Sequence, residues 1–446
     1  MAARRLAARA RRLAGTATFA RRLPSALRVP FLPEERVRAL ADERARAIAD
    51  YAAAHVPYYR RLLRPGEVRG VADLAGLPLL DKAAVRADPD AFRSRAREAD
   101  GGLSLRTTSS TWDPLTVHHD RRSLLENIAF AERERAVEIQ FVGRRFRYVA
   151  LDLGFRQTIT TPQEVRAFYD RSCYRPLRPR HHSVGVDEPF ERVVETIDRL
   201  RPDVLRGYGT YLELLYRTAL ARGLSLHAPR VAVYTADAMT PEGRRLIEER
   251  FGVPVLSQYS AVEVFRIGYF CEERDAHHLH EDVSALSIVG PDGRPVPDGE
   301  PGEVVVSNLV NRGSVLLNYR LGDVARIVPG RCACGRTSRL LSVVEARVSE
   351  IVHLPDGGFV HPFAVWAAVK LHDGVVRYQL VQHEPSRFEL RLVAVDRVTY
   401  DSVAARVVDE LRETLRGAHV ETSYCERLEQ GRGGKFSPVV ALPRGT

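Results

Sequence analysis

Lysine is nearly missing from this chain: Lys82, Lys370 and Lys435 are the only three, so almost all of the 67 lysine-plus-arginine residues are arginine. Such a bias fits a GC-rich genome and by itself says little about function. Tryptophan and methionine are scarce, with two of each. Five cysteines follow no regular framework, which argues against a disulfide-stapled fold and fits a reducing cytoplasm. No apolar run approaches the length of a membrane-spanning helix. A basic stripe interleaved with aromatics, the footprint of a nucleic-acid binder, is also lacking. The formal charge is +10, but Met1–Pro24 holds seven arginines and no acidic residue, so the body is only mildly basic.

The N-terminal tail has no uninterrupted apolar stretch of the secretory kind. A membrane-surface helix and a transit peptide remain open readings. The expectation is a disordered or loosely helical extension over residues 1–30, because termini are often poorly ordered. With 446 residues the chain exceeds a single hydrophobic core and implies two or three domains.

Pro33–Leu63 reads as helix, with Val37, Leu40, Arg44, Ile48 and Tyr51 roughly on one face. Tyr148–Gly154, Val231–Thr235 and Val253–Gln258 read as buried strands. They alternate with helices over Tyr211–Ala221 and Pro241–Phe251, the second opened by Thr240 as N-cap with Pro241 at the first helical position. Strands alternating with helices imply an α/β layered fold. Beyond Arg347 the pattern changes. Val375–Gln382 and Arg387–Val395 alternate like a hairpin, and Val403, Val407, Leu411 and Leu415 mark one stripe of a helix over Asp401–Arg416 closed by Gly417. This is the pattern of a small, separate α+β domain.

Between the apolar runs Gly302–Leu309 and Val324–Val328, each read as a strand, lies Tyr319-Arg320-Leu321-Gly322-Asp323. Gly322 permits a sharp turn that would leave the Asp323 carboxylate at its tip. A carboxylate so placed can accept two hydroxyl hydrogen bonds, as from a ribose diol; a charged turn capping a sheet is the plainer alternative.

Several segments then fall in one order: the hydroxyl-rich loop at 107–114, Gln258-Tyr259-Ser260-Ala261-Val262-Glu263, Pro291–Val304, Tyr319–Asp323, Cys332-Ala333-Cys334-Gly335-Arg336, Ala346–Glu350 and Gly433-Gly434-Lys435-Phe436. From about His55 to the C-terminus the chain resembles the adenylate-forming (acyl-CoA synthetase) superfamily, specifically its phenylacetate–CoA ligase-like branch. The resemblance implies a large nucleotide- and acid-binding domain over residues 31–348 and a small mobile α+β lid over 349–446. It implies ATP, Mg²⁺ and coenzyme A as co-substrates and cofactor, a small carboxylic acid as substrate, a cytoplasmic homodimer, and no nucleic-acid partner. Thr107, Thr108, Ser109, Ser110 and Thr111 would form the phosphate loop, Tyr259 would lie against adenine, and Ser260 would belong to the same nucleotide site. Asp323 and Arg347 would hold the ribose, Glu263 the Mg²⁺, and Lys435 would bridge the acyl carboxylate and α-phosphate. Asp152, Arg156, Tyr208 and Tyr234 would line the acid pocket, with a hint of a polar substituent.

Some positions depart from the family pattern. Ser109 and Trp112 replace phosphate-loop glycines, Val262 replaces a threonine with a hydroxyl to offer, Ser260 replaces a glycine and Ser349 a hinge aspartate. The favoured function is ATP-dependent activation of a small, aromatic-type acid followed by transfer to coenzyme A. Transfer to an amine or carrier protein, and a non-catalytic nucleotide- or acyl-binding relative, stay open. Finally, Cys271, Cys332 and Cys334 with one of three nearby histidines, best His278, would make a structural Cys₃His zinc site. The alternative is a turn holding buried thiols.

Overall fold

A computed structural model of the chain describes residues 2–96, 101–107, 115–154, 162–174, 179–186, 188–347, 352–355, 359–360, 365, 368–369, 372, 374–428 and 437–442. Two long helices come first, α1 (Ala2–Arg28) and α2 (Glu34–His55). A two-stranded ladder, β1 (Leu103–Arg106) and β2 (Thr116–His119), leads into α3 (Arg121–Val142). Strands and helices then alternate: β3 (Val149–Gly154), α4 (Pro162–Ser172), β4 (Arg180–Gly185), α5 (Phe190–Leu200), β5 (Val204–Gly207), α6 (Gly209–Ala221), β6 (Val231–Thr235), α7 (Pro241–Phe251) and β7 (Val255–Ala261). Thr240 caps α7 as its spacing suggests, its Oγ1 accepting from the Gly243 amide at 2.9 Å.

Six more strands follow: β8 (Phe265–Phe270), β9 (His277–Leu279), β10 (Ser284–Val289), β11 (Gly302–Asn308), β12 (Tyr319–Val328) and β13 (Leu340–Arg347). With β3–β7 they form one eleven-stranded sheet, ordered β10-β11-β12-β13-β9-β8-β7-β6-β5-β3-β4. Pairing is parallel among β3–β7 and antiparallel from β7–β8 onward. Parallel strands joined through helices place their carboxyl ends on one edge, the usual ligand side of such sheets.

The C-terminal residues build a four-stranded sheet of β16 (Val375–Glu384), β17 (Arg387–Ala394), β18 (His419–Tyr424) and β19 (Val439–Val440), crossed by α8 (Arg397–Thr414). A small ladder, β14 (Val352–His353) with β15 (Phe359–Val360), precedes it. Leu380, Phe388, Leu390 and Leu392 of the hairpin pack on Val403, Val407 and Leu411 of the helix, giving this part its own core. Strands β18 and β19 carry no alternation strong enough to read in advance. The expected boundary at 348/349 lies outside the described residues.

The arginine-rich tail is a correction. It is a continuous helix laid against α3 and α4, with Ala26 buried beside Phe130. A Cβ on Gly15 would sit 2.0 Å from the Ser172 carbonyl oxygen, so only glycine permits that approach. Thr16 Oγ1 accepts from the Tyr174 amide at 2.8 Å, and Arg22 pairs with Glu126 at 3.0 Å. The acidic partner of Arg22 lies about a hundred residues away in α3, so the pairing leaves no local signal in the sequence. Among the described residues no helix is long and apolar enough to cross a membrane.

Beneath that contact Arg133 of α3 forks onto Asp282 at 2.7 and 2.9 Å, both side chains only 2% exposed, and gives its Nε to the Ala26 carbonyl. Arg44, on the same helix face as Ile48 and Tyr51, also reaches Asp282. Burial acts to raise the Asp282 carboxyl, but Arg133 and Arg44 hold it well below the usual carboxylate range. A depressed folded-state pKa contributes stability above the ordinary carboxylate value, and that stability is lost as pH falls through the depressed one. Asp282→Asn, which strands the Arg133 charge, is expected to cost about 3–5 kcal/mol in urea unfolding at neutral pH. A loss below about 1 kcal/mol would show that the pair is not a structural anchor.

Candidate functional site

The carboxylate at position 323 does not sit at a hairpin tip, as expected, but within a strand. Tyr319–Val328 is one strand, interrupted by a wide bulge. Glu303 and Val305 are two positions apart on β11, while their partners Val324 and Arg320 are four apart on β12. The surplus residues bow out through Gly322, whose φ of +79° suits glycine. Both flanks stay paired to β11, so the chain never leaves the sheet. Asp323 therefore projects from a fixed ladder, where its backbone faces Arg347.

Tyr259 donates its hydroxyl to Asp323 Oδ2 at 2.7 Å. Their strands, β7 and β12, are four steps apart in the sheet order. Laid flat, four steps would span roughly 19 Å at about 4.8 Å each. A tyrosine cannot reach that far, so the antiparallel half must curl until β12 faces the end of β7. Two more bonds cross the same mouth: Tyr319 donates to Glu263 Oε1 at 3.3 Å, and Asn308 Nδ2 donates to the Glu263 carbonyl at 3.1 Å. Glu263 is buried, and its charge together with burial pushes the Tyr319 hydroxyl up, so that group remains a donor.

The flanks of the hydroxyl-rich segment 107–114, expected to bind phosphate, are fixed to this mouth. Thr107 and Leu115 close the base of the loop, amide to carbonyl at 2.8 Å and amide to Thr107 Oγ1 at 2.9 Å. On the return strand the His118 carbonyl accepts from the Ser314 amide at 2.7 Å and from Asn311 Nδ2 at 3.0 Å. Asn308 Oδ1 in turn accepts from the Asn311 amide at 2.8 Å, joining loop and Glu263 through one buried strut. His119 completes it with Nε2 at 2.7 Å from the Val262 carbonyl; burial lowers this imidazole to about 3, so it is the neutral ring that donates. Asn308, Asn311 and His119 went unnoticed in sequence, where polar residues next to strands usually mean solvent.

Other expected residues divide. Ser260 is exposed, with Oγ 3.2 Å from Thr235 Oγ1. Asp152 is gripped by Arg166, Arg206 and His181. Tyr208 is half-buried beside Asp237, and burial with that carboxylate pushes it up to about 12. Tyr234 is buried at the end of β6. Thr108, Ser109, Ser110, Thr111, Trp112, Arg156, Ser349 and Lys435, and the Arg347 side chain, lie outside the described residues.

Cys271 follows β8, His278 lies in β9, and Cys332 and Cys334 occupy the turn between β12 and β13. The structure gathers their ligand atoms within 4.8 Å of one another. Cys271 and Cys332 sulfurs are 3.6 Å apart, and Cys334 Sγ is 3.3 Å from His278 Nε2. Tetrahedral zinc with Zn–S near 2.3 Å and Zn–N near 2.0 Å would have S–S and S–N edges of about 3.8 and 3.5 Å, so the cluster fits. The sulfur separation far exceeds a disulfide. Ser338 Oγ lies 3.2 Å from His278 Nδ1, the kind of outer hydrogen bond that leaves Nε2 for a metal. Burial lowers His278 to about 4, keeping it neutral, and pushes the Cys271 thiol up to about 12, a penalty a bound cation would remove. The neighbouring histidines are committed elsewhere: His277 to Ser257 at 2.8 Å, His280 to Glu134 at 3.2 Å.

Over 438 residues the chain is 26% identical to a phenylacetate–coenzyme A ligase of Thermus thermophilus, covering 93% of this chain and 94% of that protein. It is a homologue of the phenylacetate–coenzyme A ligases, within the adenylate-forming superfamily. The Escherichia coli phenylacetate–coenzyme A ligase matches at 31% identity over 172 residues, 36% of this chain and 38% of that enzyme. No family model matches. A crystal structure of a 2-hydroxyisobutyryl-CoA ligase in its postadenylation state superposes with a TM-score of 0.72 at 17% identity, over 93% of this chain and 91% of that one. That likeness speaks for the fold: an acyl-CoA ligase-like large mixed sheet and a small C-terminal sheet.

In this adenylate-forming homologue the cluster of Cys271, His278, Cys332 and Cys334 gathers residues of β8, β9 and the β12–β13 turn, the strands that must curl to bring Asp323 to Tyr259. Purified protein is expected to carry about one zinc per chain by elemental analysis, the stoichiometry of a closed four-ligand site. Cys332→Ser should lose the metal and lower Tm, whereas metal-free wild type with an unchanged Tm would overturn the assignment.

Proposed function

We propose that the chain activates a small carboxylic acid with ATP as an acyl-adenylate and then transfers the acyl group to coenzyme A. One observation carries the reading: Tyr259–Asp323 and Tyr319–Glu263 meet at a single mouth in a chain that aligns almost end to end with a phenylacetate–coenzyme A ligase. Asp323, held on its bulge, takes the ribose 2′- and 3′-hydroxyls as an ionised acceptor. Tyr259 orients that carboxylate and lies beside the base. Glu263, buried next to a hydroxyl donor, is an anionic oxygen suited to a hard cation; Mg²⁺ bound there would neutralise charge on the phosphoryl oxygens.

In the first half-reaction a carboxylate oxygen attacks the α-phosphorus and the bond to pyrophosphate breaks, its electron pair leaving with pyrophosphate. The hydroxyls of Thr107–Thr111 donate to phosphate oxygens, and Lys435 places one ammonium between the acyl carboxylate and the α-phosphate. In the second, the coenzyme A thiolate attacks the acyl carbon and AMP departs with the C–O bond electrons. The C-terminal part acts as a lid turning about Arg347–Glu350 between the two steps. The C-terminal residues have the separate core such a motion needs.

A non-catalytic nucleotide- or acyl-binding role is the second reading, favoured by Trp112 and Val262, which bring bulk and no donor where phosphate would lie. Pyrophosphate exchange separates the two. Wild type is expected to exchange label into ATP with at least one small acid, and Lys435→Ala to lose about 10²–10³-fold or more of that rate while still making thioester from supplied acyl-adenylate. Full exchange in Lys435→Ala would remove the lysine from the mechanism; no exchange by wild type with any acid would favour the binding role.

A further inference from the structure

Four parallel strands carry polar residues on the same face toward their carboxyl ends. Asp152 of β3 lies opposite Arg206 of β5 in the ladder, and Gln258 of β7 lies opposite Thr235 of β6. Directly below them, Ala150, Val204, Val233 and Leu256 are apolar and pack with Val137 of α3. The change from apolar to charged therefore occurs at the carboxyl ends of the strands, where open α/β sheets bind ligands.

The charged side chains form one connected network. Arg206 Nη2 donates to Glu138 Oε2 at 2.5 Å, and Gln258 Nε2 donates to Glu138 Oε1 at 3.2 Å. Arg206 Nη1 also stands 3.8 Å from Asp152 Oδ1, with Arg166 and, at 3.5 Å, His181 on the other oxygen. The network has a closed end and an open one. Glu138 is 2% exposed at its side chain, whereas Asp152 and Arg206 each keep 19%, His181 26% and Arg166 28%. The row of side chains one step nearer the carboxyl ends leads toward the nucleotide mouth: Thr235 and Gln258 lie in it, and the Thr235 hydroxyl meets that of Ser260, which follows Tyr259.

We propose that this network is the far wall of the acid site and selects an acid bearing a neutral hydrogen-bonding substituent, a hydroxyl above all, over the same acid without it. The inference rests on the ligase reading. A bare phenyl or alkyl end pressed onto Arg206 and Asp152 would strip water from a partly open ion network and return no hydrogen bond, which is costly. A hydroxyl restores both senses at once, accepting from a guanidinium and donating to the Asp152 carboxylate. Two carboxylates face two guanidiniums, so no net charge calls for an ionic substituent. Glu138 and Gln258 act as positioning residues, fixing the Arg206 fork.

The test is pyrophosphate release by the wild-type protein with ATP and Mg²⁺, comparing phenylacetate with its 3- and 4-hydroxy derivatives and butyrate with its hydroxy derivatives. In at least one pair the hydroxy acid should have the higher kcat/KM by about 10²-fold or more, the discrimination expected of a site built around a hydrogen bond. Arg206→Met should bring that ratio within about tenfold, mainly by improving the bare acid; Asp152→Asn, which keeps the shape, should move it the same way should Arg206→Met fail to fold. Equal or better turnover of the bare acid in every pair would overturn this inference and leave the ligase reading standing. Absence of pyrophosphate with every acid, while AMP still binds, would overturn the ligase reading and this inference with it.

Discussion

A phenol donating to a carboxylate across the mouth of a curled sheet, Tyr259 to Asp323, is the contact on which the arrangement of the large domain turns. It joins the last parallel strand to the bulged strand of the antiparallel half, elements that a flat sheet would hold far apart. The bulge turns Asp323 toward the mouth, and pairing of both flanks with β11 keeps it there. The sulfur and imidazole cluster of Cys271, His278, Cys332 and Cys334 joins the intervening strands at the far end. Closure at one end and a four-residue sulfur and imidazole cluster at the other are two halves of one constraint on curvature.

A second layer of order comes from charge buried along α3. Glu126, Arg133, Glu134 and Glu138 are all buried, each paired with a residue from a different part of the chain. Burial alone would raise the Glu134 carboxyl, yet Arg266 and His280 draw it down to about 2, so it remains ionised. Such pairs add little net stability over a well-packed apolar core, but breaking one is costly. They therefore act as registers. Arg133 and Glu126 fix α1, Glu134 fixes β8, and Glu138 fixes the floor beneath the ends of β5 and β7.

Legibility in the sequence followed the range of the interaction. Val231–Thr235, the Thr240 cap and the Val375–Ala394 hairpin were readable because period, cap chemistry and alternation are local. The cysteine spacing was readable because C-x-C constrains two ligands at once, and three histidines left few choices for the fourth. Gly322 announced a break in backbone geometry, but a turn and a bulge ask the same of one glycine; only pairing with β11 on both sides distinguishes them. The docked tail was illegible for a similar reason, since Arg22 finds Glu126 and Gly15 finds Ser172 only after α3 and α4 are in place. Asn308, Asn311 and His119 act through backbone groups remote in sequence, so their residue types carry no advance notice of the contact.

The central claim is that the Asp323 carboxylate, oriented by Tyr259, holds a ribose diol. Titration calorimetry with AMP and with 2′,3′-dideoxy-AMP tests it on the unmodified protein. Loss of two hydrogen bonds to an ionised acceptor, each contributing about 1.5–3 kcal/mol, predicts affinity for the dideoxy nucleotide weaker by roughly a hundredfold or more. Equal affinity for the two nucleotides would contradict the account.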